Sequence, residues 1–161
     1  MIHLSLLTEA EALLATCRAA GLRLATAESC TGGLIAAALT AIAGSSDVVD
    51  RGFVTYSNEA KNELLGVPMG LINAMGAVSG PVARQMAEGA LNRSRAHMTI
   101  AVTGVAGPGG GSAEKPVGLV WFGLAQRGVP VHGESHIFPG DRAAIREATV
   151  AKAFSLIRSR L

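Results

Sequence analysis

The run Leu22 to Ala27 stops abruptly at Glu28-Ser29-Cys30-Thr31-Gly32-Gly33, and beyond the glycines Ile35, Leu39 and Ile42 fall at helical spacing as far as Gly44. A short apolar run bounded by small, turn-forming residues reads as a strand, and the change of period reads as a helix beginning at Ser29 or Thr31. The same alternation recurs along the chain. Val48 to Tyr56 reads as a strand, Glu59 to Leu65 as a short helix, and Ser79-Gly80-Pro81 opens a helix running through Val82, Met86 and Ala90. His97 to Thr103 has the β-branched, apolar pattern of a buried strand and gives way to a glycine-rich loop. Interleaved strands and helices predict an α/β fold, a sheet covered by helices on both faces.

Both ends of the chain fit this layering. Thr8-Glu9-Ala10-Glu11 has the form of a capping box ahead of a helix with Ala10, Leu13, Leu14 and Cys17 on one face and Gly21 as its stop. Near the other end, Val117 to Gln126 and Val129 to Phe138 read as a hairpin around Arg127-Gly128, which makes the sheet mixed. Asp141 caps a last helix with Ile145, Ala148, Ala151, Phe154 and Ile157 on one stripe. No repeat or linker divides the 161 residues, so residues 1–161 are expected to form one domain.

Composition excludes several classes of function. Apolar residues make up 49% and charged residues 16%, which predicts surplus apolar surface buried in a homo-oligomer. The net charge of +2 is scattered, with no basic stripe interleaved with aromatics, so no nucleic-acid partner is expected. The Leu34 to Ala43 run is far short of the roughly 20 apolar residues of a membrane span. Two cysteines, Cys17 and Cys30, form no disulfide framework, and no basic signal region leads the chain; both point to a cytoplasmic protein.

Chemistry concentrates where strands end. In open α/β sheets ligands bind beyond the carboxyl ends of parallel strands, so the segments after Ala27 and Thr103 should share a cleft if those strands are parallel. That cleft would gather Ser29, Thr31, Thr103 and the loop Gly104 to Gly111. Ser29 sits where unpaired backbone N–H groups can stabilise a developing oxyanion. Serine is also a preferred N-cap, and the surroundings are not a G-x-S-x-G elbow. Cys30 is a rival nucleophile or a small core filler. Lys61 can serve as base if burial lowers its pKa, or it is a solvated helix lysine. Tyr56 can orient a substrate, and the loop's N–H groups can cradle a phosphate, although the loop is neither a Walker A nor a dinucleotide fingerprint. Arg142, at the start of the last helix, is placed to meet an anion or to lie in solvent. His132 and His136 flank Glu134 on one strand row, too few ligands for a metal, and none is expected.

Taken together, Ala27 to Gly33, Gly44-Ser45-Ser46, Arg51 to Lys61, Gly76 to Ser79, Thr103 to Pro108, Glu114 to Gly118 and Gly140-Asp141-Arg142 resemble the CinA C-terminal domain family, which includes stand-alone nicotinamide-mononucleotide deamidases. The resemblance runs from the first helix to the last. It implies a three-layer α/β/α sandwich with a mixed, mostly parallel sheet. It also implies hydrolysis of the carboxamide of nicotinamide mononucleotide, with no metal or organic cofactor and a small-molecule nucleotide as the partner. By that resemblance Ser29 attacks the amide carbon, Lys61 takes its proton and Tyr56 assists. N–H groups near Cys30 and Thr31, with Thr103 and Gly104, would hold the oxyanion, each such donor worth roughly 3 kcal/mol. Gly32, Gly107, Gly109 and Arg142 would line the substrate side, phosphate and ribose toward the glycine loop. Longer family members carry a further N-terminal domain, whose activities are not carried over. The alternative is a nucleotide-binding or regulatory module that keeps the pocket without turnover.

Overall fold

A computed structural model describes residues 1–161. Its elements run α1 (Leu4–Ala19), β1 (Leu24–Glu28), α2 (Leu34–Thr40), a 3-10 turn at Ser45–Asp47, β2 (Val49–Val54), α3 (Asn58–Leu65), α4 (Met69–Met75), α5 (Gly80–Asn92), β3 (Met98–Gly104), β4 (Leu119–Gln126), β5 (Val129–Ile137) and α6 (Arg142–Arg158). The five strands lie in the order β2-β1-β3-β4-β5. β1 is parallel to both β2 and β3, while β4 is antiparallel to β3 and to β5. Only β4 is therefore reversed, and the sheet is mixed as the hairpin predicted.

Helices cover both faces. The α1, α2 and α6 layer buries Leu13, Leu14, Ile35, Leu39, Phe154 and Ile157 against Ile100, Val120 and Phe122. On the other side α3, α4 and α5 bury Leu65, Ile72, Val82 and Met86 against Ala27, Ala101 and Ala125. Strand side chains alternate between the two cores, as period two requires. Small residues let that second layer sit close. A Cβ on Gly123 of β4 would lie 2.2 Å from the Ala83 carbonyl oxygen, and one on Gly89 of α5 2.0 Å from that of Leu65.

Several boundaries differ from the sequence reading for local reasons. α1 begins at Leu4 with His3 as its N-cap, and Thr8 lies inside the helix with its hydroxyl donating to the Leu4 carbonyl. The capping-box pattern at Thr8 is thus a mid-helix threonine bonding back one turn. α4 was not anticipated: it is a seven-residue helix held mainly by burial of Ile72. On α6 the buried stripe is Ile145, Thr149, Val150, Ala153, Phe154, Leu156 and Ile157, so Ala148 and Ala151 lie at its margin. Ser79 and Asp141 do cap α5 and α6, accepting from the amides of Val82 and Ala144.

Candidate active site

β1 and β3 lie side by side in parallel, so the turns leaving them meet at one end of the sheet, and the Ser29 amide donates to the Val102 carbonyl at 3.1 Å. Ser29 opens a tight turn through Gly32 and Gly33, whose φ values of +57° and +103° lie in the left-handed region that favours glycine. Helix α2 therefore starts after Gly33 and not at Ser29 or Thr31. Its first amides are already taken. The wholly buried Glu28 carboxylate accepts from Ile35 at 2.8 Å, Ala36 at 3.0 Å and the Thr31 hydroxyl at 2.7 Å. The α2 terminus consequently stabilises Glu28 and offers nothing to a substrate. From the far side, Arg146 of α6 donates to the Thr31 carbonyl at 2.9 Å. Left over beside Ser29 are the amides of Cys30 and Thr31, neither of which has a backbone acceptor.

Lys61 arrives from α3. Ser57 caps that helix by accepting from the Ala60 amide, which sets the first turn against the end of β2 and aims Lys61 inward. At 1% exposure it heads the largest fully buried side chains. Its Nζ lies 2.8 Å from the Ser29 hydroxyl oxygen and 2.8 Å from the Thr55 carbonyl. No carboxylate pairs with it. Burial without a counter-ion lowers its pKa to about 8, against a smaller opposing effect from Cys30. As a free amine Lys61 can accept the serine proton along the same contact.

These groups open onto a cavity of about 330 Å³. Ser29, Cys30, Tyr56, Lys61, Thr103, Gly104, Gly107, Gly109 and Arg142 all line it. Thr31 and Gly32 do not: Thr31 is buried behind the turn on Glu28, and Gly32 faces Arg146 on the outside. The Thr103 hydroxyl donates to the Ala77 carbonyl at 2.9 Å, so its proton is directed to the 76–79 turn. Arg142 spans the mouth, donating to the Gly107 carbonyl at 2.7 Å and to the hydroxyl of the largely exposed Tyr56 at 2.9 Å. Burial pushes the Cys30 thiol up to about 11, which keeps it protonated near neutrality and a poor rival to Ser29.

Val105, Ala106 and Gly110 line the cavity as members of the expected 104–111 loop, whereas sequence reasoning missed Asn58, Ala77 and Val78 in the lining, and Glu28 and Arg146 as braces. Arg146 carried a signal, one helical turn beyond Arg142 on the same face. Glu28 carried none beyond its place in the turn. His132 and His136 both engage Glu134 between them, and no group of three or more His, Cys, Asp or Glu side chains is arranged to hold a metal ion.

Known proteins share this arrangement of elements. The sequence pattern of the CinA C-terminal domain matches residues 7–161. The nicotinamide-nucleotide amidohydrolase PncC of Enterobacter agglomerans is 54% identical over 142 residues, covering 88% of this chain and 85% of that protein. A CinA-like protein of Akkermansia muciniphila is 51% identical over 134 residues, covering 83% of this chain but 32% of that protein. The chain thus spans about a third of the length of that relative and of two similar ones. Among solved structures, the competence/damage inducible protein CihA of Agrobacterium tumefaciens superposes with a TM-score of 0.95 at 50% identity, over 99% of this chain and 97% of that one.

Proposed function

Because the chain belongs to the CinA C-terminal domain family, we propose that it is an amidohydrolase that converts nicotinamide mononucleotide to nicotinate mononucleotide and ammonia. The observation that carries this reading is the 2.8 Å contact between the Ser29 hydroxyl and the buried Lys61 amine. The nicotinamide nucleotide is suggested by the name of the Enterobacter relative, which matches most of both chains.

In the first half-reaction neutral Lys61 takes the Ser29 proton as Oγ attacks the carboxamide carbon. The carbonyl oxygen becomes an oxyanion, and the amide of Cys30, which lines the cavity and has no backbone acceptor, is the donor that suits it. When the tetrahedral intermediate collapses, the C–N bond breaks and Lys61 returns its proton to the departing nitrogen, which leaves as ammonia. Water, deprotonated by the same amine, then attacks the acyl carbon; the C–O bond to Ser29 breaks, Lys61 returns the proton to Oγ, and the acid leaves, ionising to the carboxylate in solvent. The Arg142 guanidinium at the mouth suits the phosphate end, with the 104–110 loop along the ribose and Tyr56 holding Arg142 in place.

A nucleotide sensor without turnover has no use for a buried lysine held on a serine, whose burial is unfavourable to folding. The same reading takes residues 1–161 as one catalytic domain of a cytoplasmic homo-oligomer. No helix is long and apolar enough to cross a membrane. The test is ammonia release from nicotinamide mononucleotide, beside related pyridine nucleotides and simple amides. Turnover of the mononucleotide is expected, and none with any of them would overturn the assignment.

A further inference from the structure

A second cavity, of about 540 Å³, lies on the α5 side of the sheet and shares only Val78 with the first. Its floor is Trp121, the one tryptophan in the chain, and Arg84 of α5. Room for both is built into the backbone. A Cβ on Gly80 would lie 2.9 Å from Trp121 Cζ3 and 3.3 Å from Arg84 Nη1, and one on Gly133 would lie 2.9 Å from Arg84 Nη1. Neither glycine has a positive φ, so side-chain space and not backbone conformation explains them.

Arg84 is half-buried, yet its guanidinium donates to no acceptor and pairs with no carboxylate. Lys115 brings a second cation, with one proton on the Met75 carbonyl at 2.8 Å and others free. Met75, an exposed apolar side chain, also lines the cavity, and the hydroxyl of Ser135, the cross-strand partner of Trp121, has no hydrogen-bond partner. Glu114 is the single acidic residue in the lining. An unpaired guanidinium fork and an indole lining one cavity, with a second cation beside them, match a flat ring that carries an anion.

We propose that this cavity is a second binding site, separate from the Ser29 cavity, for a small aromatic anion of mononucleotide size. The ring lies on Trp121 and the phosphate meets Arg84 and Lys115. This does not depend on the amide chemistry.

Trp121 supplies its own probe, since all tryptophan fluorescence comes from the site. Adenosine 5′-monophosphate and inorganic phosphate would be titrated against the Ser29→Ala protein. Saturable quenching by adenosine monophosphate is expected, with at least tenfold weaker binding of phosphate alone. Arg84→Gln should weaken the mononucleotide tenfold or more. Ser135→Glu, an exposed change across the β4–β5 ladder from Trp121 that offers Arg84 an internal carboxylate, should do the same. Arg142→Ala, at the mouth of the other cavity, should leave the titration unchanged. No saturable change, equal affinity for phosphate, indifference to both Arg84→Gln and Ser135→Glu, or loss in Arg142→Ala would each overturn the proposal.

Discussion

Lys61 Nζ stands 2.8 Å from Ser29 Oγ inside the protein, where no carboxylate shares the amine's charge. The pair joins α3 to the turn after β1, two segments that meet because β1 and β2 are parallel neighbours.

Activity should follow the free-amine form of Lys61. Burial lowers its pKa from 10.5 to about 8, so kcat/KM is expected to rise about tenfold per pH unit below that value and to level off above it. A profile of ammonia release from pH 6 to roughly 9.5 checks this. A flat profile across that range would contradict Lys61 as the base.

The same burial has a consequence for folding. With its folded pKa depressed, Lys61 holds fewer protons in the native state than in the unfolded chain between about 8 and 10.5. Stability should therefore rise with pH across that window, and below it the full desolvation penalty is present. Lys61→Met is predicted to abolish turnover yet to stabilise the fold near pH 7 by up to about 3 kcal/mol, at about 1.4 kcal/mol per pKa unit. Its advantage should shrink toward pH 10.5. Urea melts of both proteins at the two pH values measure it.

Glu28→Ala tests the brace behind the nucleophile. It would leave the amides of Ile35 and Ala36 and the Thr31 hydroxyl without their acceptor. The expected loss is about 3 kcal/mol or more. Glu28→Gln keeps the shape and one acceptor, so it should lose less stability while still lowering kcat with KM little changed. A Glu28→Ala protein as stable as the parent would show that α2 finds another cap.

Glu134 should set part of the acid limit of the fold. Burial alone would raise its pKa, but hydrogen bonds with His132 and His136 and the charge of Lys152 bring it down from 4.5 to about 2. Its contribution is present above the unfolded value of 4.5 and is lost as pH falls toward 2. Glu134→Gln should accordingly be less stable than the parent at pH 6, with the difference closing by about pH 2. Thermal melts across that range read it directly.

β1, β3 and β4 were legible because each is a short apolar run closed by a turn, and β5 because it follows β4 through Arg127-Gly128; the pairing of the β1 and β3 ends followed from their being parallel neighbours. Lys61 could be put forward as a base from sequence, whereas its depth and its 2.8 Å reach to Ser29 depend on how α3 sits on the sheet. Helix starts were harder. Thr8 has the letters of a cap but lies a turn inside α1, and the α2 start moved past Ser29 and Thr31 because Glu28 turns back to occupy it. Long-range braces such as Arg146 on the Thr31 carbonyl leave almost no local signature. α4 was invisible for a related reason: with Ile72 its one buried residue, it has too short an apolar face to show a period.

Ser29→Ala compared with the parent protein in ammonia release from nicotinamide mononucleotide tests the proposed chemistry most directly, with circular dichroism and melting temperature as the check on folding. The alanine protein is expected to keep the fold and to lose at least a thousandfold in kcat, because no acyl-enzyme can form. Undiminished turnover by a folded Ser29→Ala protein would contradict the serine–lysine account.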